Sequence, residues 1–368
     1  MTHQHVKNVI NIQNHSNRSG YPLFLGEDLG FSDTINLTYP ELEELAKEQR
    51  GQYWTETEHG LAQDKLDFQE DPETGDIMIR NLMSQWLMDS VAARSIMSII
   101  EPFVSNSEMI EVLSEWQYYE NLHTRTYLHI MRNCFNDAPA LLERAKADTM
   151  VAYRSKLIGK IFNETYQMAA DYSAGRPISK DAMKKQLLRT FVALYSLEAI
   201  SFQDSFACTF AITETGKFQS IGNDITAICK DEVVHAKFSQ CVLNILRFKE
   251  GYEPLFQEMK DELREILIEA CKQEHSFGEY IFSEGRSVVG CNTELLKMYT
   301  AFIAAPIFKE FGFEIPEMLG EIPERNPLPY MDKYLNPDMI QSAAQEITLT
   351  NYLVAKTVDD VSGKVFDF

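Results

Sequence analysis

The sequence lacks the features that would place the chain in a membrane or cross-link it through disulfides. It has no uncharged apolar run of about 18 residues, so no membrane span is predicted. The six cysteines include no C-x-x-C pair, and the N-terminus has no apolar segment of the kind found in signal peptides. We therefore expect free, buried thiols and a cytoplasmic location.

Basic residues are scarce as well. The 34 lysines and arginines face 55 aspartates and glutamates, which leaves a formal net charge of −21. Such a charge argues against nucleic acid or an anionic membrane as a partner and favours proteins or metal cations. Neither a G-x-G-x-x-G loop nor a Walker-type loop occurs, so this chain is not expected to bind a nucleotide itself.

The apolar pattern predicts an all-α fold. Apolar residues recur at spacings of three and four from residue 77 to about residue 312, and no alternating strand pattern competes with them. Long continuous helices are expected over residues 180–213 and 219–248. Pro40 suits the first turn of an earlier helix, and Ser105 followed by Glu108 matches a capping box.

Prolines become frequent near residue 316, where the long helical patterns stop. We therefore predict three parts: an irregular N-terminal arm (1–40), a helical domain (41–315) and an extended or flexible C-terminal tail (316–368). The tail retains apolar and aromatic residues with which it could dock on a partner.

Charged residues interrupt apolar stripes at positions that otherwise belong to a core. Glu120, His123 and Tyr127 share a helix face with Trp116 and other apolar residues, because the steps between them are three or four. A buried carboxylate or imidazole is costly unless it is paired or bound to a metal ion. This face of the helix is therefore a candidate metal site.

A second stripe repeats the same Glu-x-x-His spacing with Glu232 and His235, and each helix before such a stripe carries one lone acid. Asp89 precedes Glu120 by 31 residues, and Glu198 precedes Glu232 by 34. Two antiparallel helices with a short loop bring the chain back to the same height over that length. The pattern therefore predicts the four-helix carboxylate template that binds two metal ions.

The ligand types narrow the choice of metal. Four carboxylates balance the charge of two divalent cations, and oxygen and nitrogen ligands without thiolate favour iron or manganese. The competing interpretation of the two pairs is a set of satisfied core ion pairs. A third copy of the spacing, Glu56 and His59, lies in a polar stretch that ends in glycine, and it is interpreted as a solvated turn.

Four segments of the chain resemble the small, radical-generating subunit of class I ribonucleotide reductase, a ferritin-like di-metal carboxylate protein. Their order and spacing match that family, and the resemblance extends from about residue 20 to residue 356. The segments are Trp86–Arg94, Tyr119–His129, Leu197–Phe202 and Lys230–His235.

The resemblance implies a metal centre and a radical. Two iron ions, oxo-bridged when oxidised, would be held in two groups, with manganese as the alternative metal and O2 as the activating oxidant. The first group is Asp89, Glu120 and His123, and the second is Glu198, Glu232 and His235. Tyr127 would carry the stable radical in an apolar pocket formed by Phe202, Phe206 and Ile228.

The resemblance also implies a route for the radical out of the subunit. Its members would be Trp54, Asp231, Glu346 and Tyr352, of which the last two lie in the C-terminal tail. The sequence departs from the family pattern at Gln203 and Thr55, where relatives have a tyrosine and an arginine.

The expected function is to build a tyrosyl radical and pass its oxidising equivalent to a large subunit, which binds and reduces the ribonucleotide. The resemblance implies a homodimer that holds the large subunit through the C-terminal tail. Three alternatives remain: a di-iron oxygenase or oxidase on a similar bundle, an iron-storage protein, and a purely structural bundle. An oxygenase needs neither a stable radical at Tyr127 nor a redox tyrosine in the tail, and storage would require a cage assembly.

Overall fold

A computed structural model describes residues 2–3, 10–12, 21–27 and 30–335, and most of them lie in thirteen α-helices. These are α1 (Pro40–Gly51), α2 (Ala62–Glu70), α3 (Pro72–Ile100), α4 (Ser107–Cys134), α5 (Ala138–Ala147), α6 (Thr149–Ser173), α7 (Lys180–Ser196), α8 (Gln203–Thr213), α9 (Gln219–Asn244), α10 (Glu253–Glu258), α11 (Lys260–Ile281), α12 (Thr293–Glu310) and α13 (Met331–Leu335). The strands described are β1 (Thr2–His3) and β2 (Ile178–Ser179), which pair antiparallel. The predicted all-α class is confirmed.

Two π-turns interrupt the helices that the sequence predicts to be continuous. The first π-turn, Leu197–Ser201, joins α7 to α8, and the second π-turn, Ile245–Lys249, follows α9. A π-turn adds a residue to one turn of helix and is often found at functional sites. Since the surrounding residues are good helix formers, periodicity alone does not reveal the extra residue.

The start of α4 differs from the predicted capping box. Asn106 is the N-cap, and its side chain accepts a hydrogen bond from the backbone N–H three residues on at 2.9 Å. The hydroxyl of Ser105 instead donates to the carbonyl of Pro22 at 2.8 Å, and Glu108 accepts from the backbone of Tyr39. The capping prediction was wrong because tertiary contacts with the N-terminal segment occupy both side chains.

The long helices pack around one buried apolar core. Helix α3 lies against α4, and α7 with the first π-turn lies against α9; α4 in turn contacts α9, while α1 covers both of them. Within the part of the chain that the structure describes, no helix is long and apolar enough to cross a membrane. This packing places the predicted ligand positions on four helical segments that face one another.

Candidate metal centre

The six predicted ligands converge inside the bundle, and each of them is at most 1% exposed. They come from α3, α4, the first π-turn and α9, in chain order Asp89, Glu120, His123, Glu198, Glu232 and His235. Their oxygen and nitrogen atoms form two overlapping groups in which all atoms lie within 4.8 Å of one another. The four segments therefore create one buried cluster.

Glu232 belongs to both groups. Its Oε1 lies 3.1 Å from Nδ1 of His123, and its Oε2 lies 2.7 Å from Nδ1 of His235. Glu120 lies with His235, at 3.2 Å, rather than with His123. Glu232 could therefore serve as a ligand in either group. The division of the ligands between the two ions, as the resemblance implies it, stays a prediction.

Several atoms of the cluster are buried without a hydrogen-bond partner. No hydrogen bond of normal geometry reaches either carboxylate oxygen of Asp89 or of Glu198, although Asp89 interacts with Tyr127 and Glu198 with Glu232. Nε2 of His235 also has no partner among the described residues. Nδ1 of His123 and Oε1 of Glu232 lie 3.1 Å apart without a well-formed hydrogen bond, and although burial opposes it, their interaction raises the pKa of His123. Since buried polar atoms are almost always satisfied, unpartnered acceptors that converge on one point fit metal ligands.

The electrostatics of the cluster point the same way. Burial and the charges of Glu232 and Glu120 raise the pKa values of Asp89 and Glu198 well above the ordinary range. Burial also raises the pKa of Glu232, but the two imidazoles outweigh burial and hold that pKa below its ordinary value. Without cations, protons must therefore neutralise part of the cluster. Two divalent ions would replace these protons and offset the four carboxylates.

Tyr127 lies one helical turn beyond His123 and is completely buried. Its hydroxyl makes no hydrogen bond of normal geometry with a described residue, but it interacts with the carboxylate of Asp89. Burial raises the pKa of this phenol well above its ordinary value, and the charges of Asp89 and Glu232 add to the effect. The side chain is therefore a neutral phenol next to a carboxylate cluster, shielded from water.

The three residues predicted to line the radical pocket are all buried, each at most 1% exposed: Phe202, Phe206 and Ile228. The rings of the two phenylalanines stack with their centroids 5.7 Å apart. Both follow the first π-turn, which also carries Glu198. Their contact with Tyr127 stays a prediction.

A hydrogen-bonded chain leads from His123 towards α1. Nε2 of His123 lies 3.1 Å from Oδ2 of Asp231, and the indole N–H of Trp54 donates to the same oxygen at 2.7 Å. The rings of Trp54 and His123 are nearly parallel, with centroids 6.2 Å apart. The structure thus brings Trp54 and Asp231 together beside the cluster, as the resemblance implies. Glu346 and Tyr352 lie outside the described residues.

Two further residues support the cluster but were not predicted. The side-chain amide of Gln49 donates to Oδ1 of Asp231 at 2.7 Å. The indole N–H of Trp116 donates to Oε1 of Glu120 at 3.0 Å. Both follow from spacing: Gln49 continues the buried stripe of Leu42 and Ala46, and Trp116 precedes Glu120 by one turn. Each places a hydrogen-bond donor on a buried stripe, and this position in the sequence could have predicted its role.

The departure at Gln203 also has a structural account. Gln203 is buried, and its side-chain oxygen accepts a hydrogen bond from the hydroxyl of Tyr299 at 3.3 Å. The amide thus has a partner within the bundle. Thr55 is half-buried in the segment after Trp54, and its backbone N–H donates to Glu58 at 2.8 Å.

The third Glu-x-x-His copy forms a turn, as predicted, but its side chains are not free in water. Glu56 is half-buried and forms an ion pair with Arg125 at 3.3 Å. His59 is also half-buried, and its Nδ1 lies 2.7 Å from Oδ1 of Asp224. The prediction of a fully solvated turn was therefore wrong, because α4 and α9 each offer the segment a charged partner.

Together, the helical bundle and the carboxylate–histidine cluster define a ferritin-like protein with a di-metal carboxylate core. A family model described as "Ribonucleotide reductase, small chain" matches residues 33–316. The chain belongs to this family, which confirms the resemblance and the predicted role as the small subunit of a ribonucleotide reductase.

Named relatives agree with this assignment. The chain is 29% identical to the ribonucleoside-diphosphate reductase subunit beta of Buchnera aphidicola subsp. Baizongia pistaciae, over 96% of this chain and 97% of that protein. It is also 29% identical to the subunit beta of Enterobacteria phage T4, over 94% of each chain.

Solved structures share the fold. A ribonucleotide reductase R2 subunit from Clostridium botulinum superposes with a TM-score of 0.77 at 17% identity, over 91% of this chain and 99% of that one. A dimanganese(II)-NrdF from Streptococcus sanguinis gives 0.65 at 16% identity, over 83% and 100%. At these identities the superpositions support the fold alone.

Proposed function

We propose that this chain generates a radical on Tyr127 and delivers its oxidising equivalent to the large subunit of ribonucleotide reductase. The observation that carries the proposal is a fully buried phenol, one helical turn from His123, beside six convergent ligands. When bound, two metal ions would supply the O2-dependent one-electron oxidation of that phenol.

The chain's own residues would control the proton and exclude water. Oxidation of a phenol releases its proton, and Asp89 is the acceptor that we assign to it. The carboxylate of Asp89 interacts with the hydroxyl of Tyr127, and both its charge and this contact contribute to the raised pKa of Tyr127. Phe202, Phe206 and Ile228 would keep the resulting radical dry and without a nearby reductant.

Radical transfer would begin at the chain of contacts outside the cluster. Asp231 holds the imidazole of His123 on one side and the indole of Trp54 on the other, which orients both rings. We propose that Trp54 is the first relay towards the large subunit. Glu346 and Tyr352, in the tail, would complete the route.

We propose iron as the metal and the C-terminal tail, 316–368, as the contact with the large subunit, within a homodimer. Carboxylate and imidazole ligands suit manganese as well as iron, and one structural neighbour is a dimanganese protein. Metal analysis of the protein as purified from its own host distinguishes the two. All six cysteines are free, and five are buried, which supports a reducing, cytoplasmic location.

The test of the radical is spectroscopic. We expect the metal-free wild type, given ferrous iron and then O2, to bind two ions per chain and show the electron spin resonance signal of a phenoxyl radical. The variant Tyr127→Phe should bind the same two ions and show no such signal. Retention of the signal in the variant would contradict the assignment, as would a wild type that binds no iron.

The test of the partner uses a shortened chain. We expect removal of residues 340–368 to leave the radical signal unchanged and to abolish ribonucleotide reduction with the large subunit. Normal turnover by the shortened chain would refute a transfer route through the tail.

A further inference from the structure

A buried arginine outside the cluster contacts two of the segments that carry ligands. Arg154, on α6, is 1% exposed, and its guanidinium lies over the ring of Phe277 at 3.9 Å. It donates to the hydroxyl of Ser84 at 2.6 Å, to the carbonyl of Ser201 and to the carboxylate of Glu274. Ser84 lies on α3, just over one turn before Asp89, and Ser201 ends the first π-turn, which carries Glu198.

The Arg154–Glu274 pair forms hydrogen bonds with two backbone groups at the junction between the first π-turn and α8. While Arg154 binds the carbonyl of Ser201, Glu274 accepts a hydrogen bond from the backbone N–H of Asp204 at 3.3 Å. That N–H belongs to the first turn of α8, where a helix has no internal acceptor. The ion pair thus binds one carbonyl and one N–H on the two sides of the junction.

The location makes this role specific. Ser201 and Asp204 are both buried, so bulk water does not reach the two backbone groups that the pair binds. Neither carboxylate oxygen of Glu198 has a hydrogen-bond donor of normal geometry, and the side chain interacts with Glu232, another predicted ligand. The backbone of the π-turn therefore contributes to the direction of Glu198. Metal ligands must be held within a few tenths of an ångström, and partners one layer out supply that order.

We propose that Arg154 and Glu274 are positioning residues that hold the first π-turn in place and so aim Glu198 at the metal ions. Through Ser84 the same guanidinium ties this turn to α3, the helix of Asp89. The inference rests on the proposed function, since it takes Glu198 to be a metal ligand.

Arg247 offers a matched control. It too is buried, lies in a π-turn, pairs with a glutamate (Glu253, 2.7 Å) and stacks on a phenylalanine (Phe256, 3.9 Å). It follows His235 by about three helical turns. Its ion-pair and ring partners among the described residues are Glu253, Phe248, Phe256 and Phe311, and none of them lies on a segment that carries a predicted ligand. Its loss should lower stability without moving the cluster.

The experiment measures Mn²⁺ binding to the full-length, metal-free chain by equilibrium dialysis, together with the midpoint of thermal unfolding. We expect Arg154→Met to lower the affinity for one of the two Mn²⁺ ions by about tenfold or more. Arg154→Lys should recover part of the affinity, since an ammonium can still donate to the Ser201 carbonyl. Arg247→Met should lower the unfolding midpoint and keep both ions at wild-type affinity.

A double variant guards against misfolding. Arg154→Met with Glu274→Met removes both charges together, and buried pairs replaced by apolar residues often leave a protein folded. It should fold and still bind one ion weakly. Wild-type affinity in the folded double variant would overturn the inference, and so would equal weakening by Arg247→Met.

Failure of the proposed function gives a different result. If the wild type binds no Mn²⁺, or if Glu198→Ala binds two ions as tightly as the wild type, then the metal centre or the ligand assignment is wrong. If both of those controls behave as proposed and the Arg154 variants bind like the wild type, only the positioning role is wrong.

Discussion

Two regions of this molecule share the Glu-x-x-His spacing and do different work. In α4 and α9 the pairs Glu120–His123 and Glu232–His235 are buried and converge with two lone acids. In the segment after α1, Glu56 and His59 are half-buried, and each pairs singly, with Arg125 and with Asp224.

The difference shows which features, besides the Glu-x-x-His spacing, distinguish a candidate metal site. A single opposite charge satisfies Glu56 or His59, whereas the core pairs have more carboxylates than the imidazoles can neutralise. The segment after α1 contributes something else, because its Trp54 reaches Asp231. The Glu-x-x-His spacing is common to both regions. Only the core combines burial with an excess of carboxylates, whose negative charge is costly to bury unless cations compensate it.

The largest difference between the two regions is expected when one glutamate is removed from each. Glu232→Ala should abolish binding of both metal ions, the radical signal and turnover, because this carboxylate contacts both imidazoles. Glu56→Ala should keep two ions per chain, since it loses only an ion pair with Arg125. Iron content and electron spin resonance measure both outcomes. Equal loss of metal in the two variants would show that the regions are not distinct.

A smaller effect is expected from Trp54→Phe, which removes the indole N–H and leaves Oδ2 of Asp231 short of a donor. We expect the iron content and the radical signal to persist, while ribonucleotide reduction with the large subunit falls to background. Trp116→Phe is the matched control, since its indole donates to the predicted ligand Glu120. That variant should disturb metal binding first. Normal turnover by Trp54→Phe would remove Trp54 from the route.

The third prediction, for which we expect the least change, is the pH dependence of stability that His59 contributes. The hydrogen bond to Asp224 raises the pKa of His59 above its ordinary value, although burial opposes the shift. A raised folded-state pKa stabilises the protein below the unfolded pKa of about 6.5, and this contribution is lost as pH rises through the folded value. His59→Gln should therefore cost up to about 1 kcal/mol near pH 6 and almost nothing near pH 9, because the imidazole is about one third exposed.

His275 supplies the control for that measurement. Burial lowers the pKa of His275, and the nearby Lys297 lowers it further. Its protonation therefore opposes folding, so His275→Gln should gain stability relative to wild type as the pH falls. Urea unfolding of both variants and the wild type at pH 6 and pH 9 gives the change in the free energy of unfolding that each substitution causes. If that change varies with pH in the same direction for both variants, the pair with Asp224 does not govern the pKa of His59.

Five of the six predicted ligands stand on regular helices at positions where an apolar residue was expected, and Glu198 stands in the first π-turn. Glu120 and His123 illustrate this, since a spacing of three places both on one face of α4. Gln49 and Trp116 obey the same rule and were missed, because an amide or an indole on an apolar stripe looks less unusual than a charge.

The all-α class, the two pairs of helices and the inward direction of the six predicted ligands could be read from the chain alone, because helical periodicity is a local property that charges on an apolar face make visible. Packing between helices was needed to place Glu232 in both groups, Glu198 in a π-turn and the Arg154–Glu274 pair against that turn. These features depend on contacts between helices far apart in the chain. No spacing within one helix encodes them, because burial and distance across a bundle are set only when the helices pack.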